Sequence, residues 1–277
     1  MRDPSMIVRL LAPDWSDLDT IWRNPLPFIL WPVGNQPLLA HWLDEAVRGG
    51  FEEVEIHVKD RADEVRAYLA RESYWSQHRK VFAVAREADA PVTAERVDRL
   101  PGRRCEGALP KTAAALLTYW FELQKSWLAR RSPREMTLDT FRPGGGWVGS
   151  HARIHRSARL RPPYWIGPGA EIGANCQIGP HALIGEESIV DENVEVEQAC
   201  LLPNTYLGQN TRLFRAAAAG GALIDFGRSC RVDIGETFIM GPALHSMAHT
   251  GLGSIDGARA GVGTHFRADR SPVSAVR

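Results

Sequence analysis

Residues 148–200 read VGSHARIHRSARLRPPYWIGPGAEIGANCQIGPHALIGEESIVDENVEVEQAC and repeat every six residues. Each repeat begins with an aliphatic anchor, and a small residue usually stands four places later. An α-helix has a period of 3.6 residues and an alternating strand a period of two, so neither fits. A hexapeptide period is typical of a parallel β-helix, whose triangular coils turn the anchors inward. The anchors are Val148, Ile154, Leu160, Ile166, Ile172, Ile178, Ile184, Val190 and Val196, and the small residues are Ala152, Ala158, Ala170, Cys176, Ala182, Ser188 and Cys200.

The repeat loses its phase after Val196. Anchors resume one residue out of step at Leu201, Leu207 and Leu213, and the stretch 214–222 then interrupts them. Residues 223–241 alternate like a strand, which predicts a further partial coil. We expect the out-of-phase part to cap the β-helix or to form a contact surface, because an open end would expose its core.

Composition excludes several classes of function. The formal net charge of the 277 residues is zero, so no basic surface for nucleic acid or an anionic membrane is expected. No apolar run is long enough to span a bilayer, and residues 1–15 do not resemble a signal peptide. We therefore expect a cytoplasmic protein. The four widely spaced cysteines predict buried thiols in a reducing compartment: Cys105, Cys176, Cys200 and Cys230.

The chain before the repeats has a different composition. All nine tryptophans lie at or before Trp165, and glycines follow Pro143. Strands are predicted at 6–12, 54–58 and 81–85, and helices at 37–47, 62–69 and 112–130. Strands that alternate with helices indicate a parallel βαβ sheet. The predicted domains are an α/β domain at 1–143, the β-helix at 147–241 and a partly disordered tail at 242–277.

Two stretches carry a resemblance to a known family. Residues 25–69, which contain PVGNQPLL at 32–39, resemble the sugar-1-phosphate nucleotidyltransferases, and residues 162–185 resemble the start of the β-helix that many of these enzymes carry. Those enzymes join a nucleoside triphosphate to a sugar 1-phosphate and release pyrophosphate. The resemblance implies a small Rossmann-like α/β domain followed by a left-handed β-helix, with Mg²⁺ as the cofactor if activity survives.

The same resemblance shows what this chain lacks. The family's glycine-rich loop after the first strand is replaced by PDWSDLDTIW at 13–22, which has no glycine. Leu26 stands where the family has a phosphate-binding lysine, a charge that stabilises the transition state. No buried strand between residues 131 and 147 carries a metal-binding aspartate, and Asp139 is not assigned that role. The α/β part is also shorter than the family requires, which predicts a truncated domain with impaired catalysis.

The resemblance assigns five residues to a nucleotide or sugar site, with catalytic residues left unassigned. Gly34 and Asn35 are expected to line a base or sugar pocket, although ordinary turn chemistry also explains them. Glu106 stands where the family often has an acid. Lys111 is expected to contact a phosphate at the start of the helix that Thr112 opens, although Thr112 is equally an ordinary helix cap. No metal site is predicted.

Four functions remain open at this level, the fourth of which is a purely structural module that uses the β-helix as an oligomerisation surface. The first is a binding, regulatory or scaffolding protein that takes a nucleotide or nucleotide sugar, or an active family relative, and forms a homo-oligomer through the β-helix. The second is an active sugar-1-phosphate nucleotidyltransferase. The third is an acyltransferase with a histidine as general base, for which the candidates are His151, His155, His181, His245 and His249.

Overall fold

A computed structural model describes residues 7–19, 21, 26–71, 80–84, 94–102, 109–130, 140–142 and 144–243. The predicted tail, apart from its first two residues, lies outside this part of the chain, as do Cys105, Glu106, Asp139, His245 and His249.

The α/β region contains the predicted parallel sheet. Its strand order is β5-β4-β1-β6, and each neighbouring pair runs parallel. A short antiparallel pair, β2 and β3, precedes the first helix. The elements are β1 (Ile7–Leu11), β2 (Pro32–Val33), β3 (Gln36–Pro37), α1 (Leu38–Arg48), β4 (Glu53–His57), α2 (Ala62–Arg71), β5 (Lys80–Val84), β6 (Glu95–Arg96) and α3 (Ala113–Arg130), with 3-10 turns at Ser16–Leu18 and Phe28–Leu30.

Local sequence accounts for these helices. α1 buries an apolar stripe that includes Leu39, Trp42 and Leu43, and its polar residues lie on the other side. It ends at Gly49, and Gly50 follows with a φ of +77° that an L-residue adopts poorly. α3 begins after Thr112, whose hydroxyl oxygen accepts a hydrogen bond from the Ala115 N–H at 3.2 Å. The predicted strands and helices are thus confirmed.

The hexapeptide region is a parallel β-helix of about four turns. Each coil contributes one strand to each of three faces, and strands stack in parallel from coil to coil. The first face consists of β8 (Gly146–Val148), β11 (Tyr164–Ile166), β14 (Ala182–Ile184), β17 (Ala199–Leu201) and β20 (Ala216–Ala219). The second consists of β9 (Arg153–Ile154), β12 (Glu171–Ile172), β15 (Ile189–Val190) and β18 (Thr205–Leu207). The third consists of β10 (Arg159–Leu160), β13 (Gln177–Ile178), β16 (Glu195–Glu197) and β19 (Arg212–Phe214).

The predicted phase change is confirmed in the strand register. Ile166 pairs with Ile184, 18 residues later, but Ile184 pairs with Leu201, only 17 residues later. One small residue was therefore assigned wrongly, because Ala199 and not Cys200 takes the inward place of Ala182. Cys200 instead belongs to the apolar cluster that the β-helix shares with the α/β region. Deleting one residue from a coil shifts every later side chain by one position.

The end of the β-helix differs from the prediction. The stretch 214–222 does not interrupt the first face, because β20 continues it in parallel with β17. Residues 223–241 do not form a further coil. The chain reverses at Gly220, where φ is +55°, and runs antiparallel through β21 (Ala222–Asp225) and β22 (Cys230–Asp233), and β23 (Met240–Pro242) then pairs antiparallel with β18. These antiparallel strands close the end of the stack.

An aromatic layer joins the α/β region to the first face. Trp127 of α3 meets Trp165 of β11 edge to face, with centroids 5.5 Å apart. Phe226, beyond β21, contacts Trp120 and Phe121 of α3. The described residues up to position 243 belong to one compact unit, and β7 (Thr140–Arg142) pairs with β8 across the glycine-rich segment. The division into domains at 143 and 147 stays a prediction.

Candidate functional site

The carboxyl edge of the parallel sheet is the first place to look for a site, since ligands of open α/β sheets bind there. β1 and β4 end side by side, and the Ala12 N–H donates to the His57 carbonyl at 2.9 Å. The Val97 N–H, just after β6, donates to the Leu11 carbonyl at 2.9 Å. The loops 12–19, 58–61 and 97–102 therefore meet at this edge.

Two basic side chains at this edge, Lys59 and Arg61, form ion pairs with aspartates. Lys59 Nζ lies 2.8 Å from a carboxylate oxygen of Asp14, and that hydrogen bond holds the pKa of Asp14 below its usual range. Arg61 donates to both oxygens of Asp60, at 2.6 and 2.7 Å, and to Asp19 at 3.2 Å. Burial alone would lower the pKa of Arg61, but these two carboxylates raise it. Arg61 is 28% exposed, so a phosphate would have to displace one of its carboxylates, whereas Lys59 is 64% exposed and its contact with Asp14 is a surface ion pair.

Aromatic side chains fill the space behind the loop that follows β1. Trp15 is buried and packs edge to face on Phe28 at 4.7 Å and on Tyr119 at 5.8 Å. The Tyr119 hydroxyl donates to the Asp98 carbonyl at 2.8 Å, which ties α3 to the loop after β6. This loop is therefore a packed element and not an open glycine cradle.

Leu26, which only the resemblance aligns with the family's lysine, belongs to the same packing. Its side chain is half-buried against the apolar core. Its carbonyl accepts a hydrogen bond from the Trp31 indole N–H at 3.1 Å. The residue contributes packing and no positive charge.

Gly34 is constrained by packing. It lies in the turn between β2 and β3 with a φ of +65°, and its N–H donates to the Gln124 side-chain oxygen at 2.8 Å. A Cβ at Gly34 would overlap the Trp127 indole of α3. Gln124 and Trp120 both donate to the Pro32 carbonyl at 2.7 Å, so this turn is anchored to α3. The positive φ, the hydrogen bond to Gln124 and the packing against Trp127 therefore explain why a glycine stands in this turn, and no ligand is needed.

The remaining family-derived residues do not gather around Gly34. Lys111 and Thr112 are exposed at the start of α3, and Thr112 caps that helix. Gln124 and Trp127, which contact Gly34, lie in the second half of α3, about 18 Å and about 22 Å from Thr112 at a rise of ~1.5 Å per residue. The structure therefore separates Lys111 from Gly34 and Asn35. Glu106 lies outside the described residues.

Asn35 does line an open cleft, which we call the α1 cleft. It has a volume of about 550 Å³ and lies between the β2–β3 turn, α1, the turn at 99–102 and the end of α3. Its lining residues are Asn35, Gln36, His41, Asp44, Glu45, Arg48, Leu100, Pro101, Trp127 and Arg130. Sequence reasoning found only Asn35. The sequence of α1 does contain one signal of the cleft, because His41, Asp44 and Arg48 are spaced to lie on one side of the helix. Arg130 is distant in sequence, and only the folded chain brings it to the cleft.

A hydrogen-bonded histidine forms the back of the α1 cleft. His41 Nε2 donates to the Val33 carbonyl at 2.9 Å, so Nδ1 is left as an acceptor. The Gln36 amide nitrogen donates to His41 Nδ1 and to an Asp44 oxygen, both at 3.1 Å. Burial, together with the positive charges of Arg130 and Arg48, lowers the pKa of His41. The ring is therefore neutral at pH 7 and holds the Gln36 amide in one orientation.

The histidines of the β-helix show no arrangement for acyl transfer. His151 and His155 are exposed, and His155 pairs with the Ser157 hydroxyl at 2.8 Å. His181 is half-buried beside Glu122 and Lys125 of α3, and burial lowers its pKa. Within the described ranges, none of these three rings hydrogen-bonds to a carboxylate that would activate it as a base.

Two cysteines are buried as predicted. Cys176 and Cys200 are free thiols, and burial raises the pKa of both. Cys230 is free and half-buried. The part of the chain that the structure describes has no cluster of three or more potential metal ligands. No helix in that part has the length and apolarity to span a bilayer.

Comparison with protein-family models and with curated protein sequences yields no match to this chain. The resemblance to sugar-1-phosphate nucleotidyltransferases stays a prediction.

Proposed function

We propose that the chain is a non-catalytic, nucleotidyltransferase-like protein of sugar-nucleotide metabolism, which acts by binding or scaffolding. In this proposal the α/β region is a reduced Rossmann-like domain and the β-helix is left-handed. The order of parts supports it: a parallel sheet of order β5-β4-β1-β6 precedes the β-helix. The β-helix serves as the rigid support, and α3 holds the α/β region against its first face.

One observation supports the proposed loss of catalysis. At the carboxyl edge of the sheet, Lys59 and Arg61 are both bound by carboxylates of the chain itself. Phosphoryl transfer depends on cations and backbone N–H groups that are directed at the phosphates. Here a triphosphate would meet Asp14, Asp19 and Asp60, whose negative charges repel it, and Trp15 is packed behind them.

Turnover is the direct test. Purified protein, incubated with each nucleoside triphosphate, a hexose 1-phosphate and Mg²⁺, should release no pyrophosphate above the buffer rate. The same triphosphates should leave its melting temperature unchanged, because a ligand that binds only the folded state would raise it. Clear pyrophosphate release with any pair of substrates would overturn the proposal.

A gain of binding tests the physical reason. In the double variant Asp14→Asn/Asp60→Asn, Lys59 and Arg61 lose most of their carboxylate partners, so weak triphosphate binding should emerge. The matched control is Asp63→Asn, which removes an exposed carboxylate that pairs with Arg66 on α2. If the double variant and the control behave alike, internal carboxylates are not what excludes phosphate.

A further inference from the structure

The C-terminal end of the β-helix is stepped, because its three faces stop at different heights. After the coil formed by β17, β18 and β19, the first face continues with β20, β21 and β22, and the second face continues with β23. The third face has no strand beyond β19 among the described residues. Neighbouring strands lie about 4.8 Å apart, so the first face projects about 14 Å beyond the third. The antiparallel strands therefore close the end of the stack on two faces and leave the third open.

An apolar groove lies in the recess of this step. It has a volume of about 350 Å³ and is lined by Arg212, Leu213, Phe214, Ala216, Leu223 and Asp225. Leu213 belongs to the core of the β-helix and Leu223 packs against it, so the groove opens onto the apolar interior. Val232 pairs with Leu223 across β21 and β22 and is 47% exposed, and Phe214 is 45% exposed. Apolar side chains that gather at one open place mark an interaction surface.

The projecting side of the step ends in the edge strand β22. Main-chain groups alternate in direction along a strand, and the Ile234 N–H donates toward β21, to the Gly221 carbonyl at 2.7 Å. The main-chain groups of Arg231 and Asp233 therefore point away from β21, toward the open edge. Their side chains lie on the outer side of the sheet, since Arg231 pairs with Ile224, which belongs to the layer beside α3.

The recessed side of the step ends in the edge strand β19. The Arg215 N–H donates toward β16, to the Glu197 carbonyl at 3.3 Å, so the main-chain groups of Arg212 and Phe214 point to the open edge. The side chains of Arg212 and Phe214 lie outward on either side of the buried Leu213. Both edges thus offer two residues with outward side chains around one that faces the interior.

A two-fold rotation fits two such ends together. Its axis passes through the second face, perpendicular to the long axis of the β-helix, and it places the projecting first face of each copy against the recessed third face of the other. β22 runs in the winding direction of the coils, because the chain reverses twice before it, and the rotation reverses that direction in the second copy. β22 of one copy is therefore antiparallel to β19 of the other, and the contact occurs twice, as a two-fold interface requires.

Charge selects one register for this pairing. When Val232 faces Leu213 of the second copy, the apolar interior continues from one copy into the other. On the outer side, Asp233 then faces Arg212 of the second copy and Arg231 faces its Phe214, and both pairings are attractive. A shift of two residues would instead place Arg231 opposite Arg212, where like charges repel.

The ion pairs already present in one copy are compatible with this register. Arg212 lies 3.4 Å from Glu195 on the neighbouring strand, and Arg231 lies 2.7 Å from Asp233 on its own strand. Asp233 of the second copy approaches Arg212 from the side opposite Glu195, so the signs alternate along the outer row. A guanidinium group has five N–H donors and can bind both carboxylates.

We propose that the chain forms a two-fold dimer through this stepped end, with β22 of each copy paired to β19 of the other. Strand addition at an open edge supplies main-chain hydrogen bonds, and the side chains at the groove supply the specificity. Phe238, which is 67% exposed in the segment that joins β22 to β23, lies at the same end. The dimer goes beyond the proposed function and does not depend on it, since loss of catalysis concerns only the α/β region.

Disulfide formation in the full chain tests the pairing directly. In the double variant Arg212→Cys/Asp233→Cys, each new thiol faces one of the second copy, at a Cα separation of about 5.5 Å that suits a disulfide. Mild oxidation should therefore give a covalent dimer on a non-reducing gel, and reduction should return the monomer. The single variants are the matched controls, because neither places two new thiols opposite each other. A double variant that yields no more dimer than the single variants would overturn the proposal.

Sedimentation equilibrium of the full chain tests the register. Asp233→Arg should weaken the dimer at least about tenfold, because it sets like charges opposite each other in both symmetry-related contacts. Asp63→Arg, the same change at an exposed place on α2, should leave the dimer Kd within about twofold. The double variant Arg212→Asp/Asp233→Arg should dimerise at least about threefold more tightly than Asp233→Arg, because opposite charges face each other again.

Several results would contradict the dimer. A monomer at every accessible concentration, without the specific disulfide, would leave the open third face to a different partner and overturn the proposal. A trimer would exclude the two-fold arrangement, and a double charge variant as weak as Asp233→Arg would exclude the register. Pyrophosphate release bears only on the carboxyl edge of the parallel sheet, so the proposed function and the dimer fail separately.

Discussion

The interior of the β-helix and the layer between the β-helix and α3 are both apolar, but they are built differently. Inside the β-helix, Ile166, Ile184 and Leu201 stack in register at equivalent places of successive coils. In the layer outside, residues from distant parts of the chain meet: Trp127 contacts Trp165 edge to face, and Phe226 contacts Phe121 at a tilt. The first is held together by repetition and the second by a set of unique contacts. Substitutions in the two places should therefore have different consequences.

The largest effect is expected at the aromatic layer. Trp165→Ala should lower the free energy of unfolding by ~4 kcal/mol, because it removes a buried indole and leaves a cavity beside Trp127. The loss should be concentrated between the two regions. Hydrogen exchange should then speed up in α3 more than in the strands of the β-helix, and equal acceleration in both would contradict a layer that acts as a joint.

A truncation inside the β-helix should cost somewhat less. Ile178→Ala should destabilise the protein by ~3 kcal/mol, since its side chain is buried between neighbouring coils. The control is Ile189→Ala, which truncates the same residue type at a half-buried place beside Val190. Chemical denaturation should show a loss well below that of Ile178→Ala. If the two losses are equal, the assignment of inward and outward positions is wrong.

The turn at Gly34 tests how closely α3 is fitted to the α/β region. Gly34→Ala should destabilise by ~2–3 kcal/mol, from a positive φ and from overlap with Trp127. Gly50→Ala provides the control, because Gly50 also has a positive φ but a Cβ there would meet nothing within 4 Å. Gly50→Ala should lower the free energy of unfolding by ~1 kcal/mol, because it adds only the backbone strain of a positive φ and no steric overlap. A similar loss in both variants would remove the packing argument.

The smallest effect concerns pH and the α1 cleft. The pKa of His41 is lower in the folded state, so the unfolded chain binds a proton there more readily. The free energy of unfolding should therefore fall as the pH drops below about 6.5, the ordinary pKa of histidine. Asp44 opposes this trend, and Arg48 and Arg130 reinforce it. Urea unfolding between pH 7 and pH 5 should show a flatter profile for His41→Gln than for the control His155→Gln. An unchanged profile would mean that His41 is not held neutral.

Much of the fold was predictable because its signals are local. The hexapeptide anchors identify the β-helix, and the apolar stripe of Leu39, Trp42 and Leu43 identifies α1. The phase change at Leu201 was also visible in the sequence. The antiparallel end of the stack was not, because alternating residues serve a parallel coil and an antiparallel hairpin equally well. Cys200 was misplaced for a similar reason, since one missing residue changes which small side chain points inward.

Less of the candidate site was predictable. The resemblance predicts a phosphate cradle after the first strand, and the missing glycines at 13–22 and the leucine at position 26 are departures from it that are visible without coordinates. What occupies the place of that cradle is a matter of long-range contacts, such as those between Arg61 and Asp19 and between Trp15 and Tyr119. The α1 cleft depends on Arg130 and Gln36, which are far apart in the sequence.

The sequence by itself determined the β-helix and the order of the secondary structure elements, because periodicity, glycines and helix caps act within a few residues. Only the tertiary structure decided that α3 packs on the first face of the β-helix, that Asp19 and Asp60 bind Arg61 at the carboxyl edge of the sheet, and that a polar cleft remains open beside α1. Those outcomes depend on which distant side chains share space and charge. A local pattern contains no information about such contacts until the chain has folded.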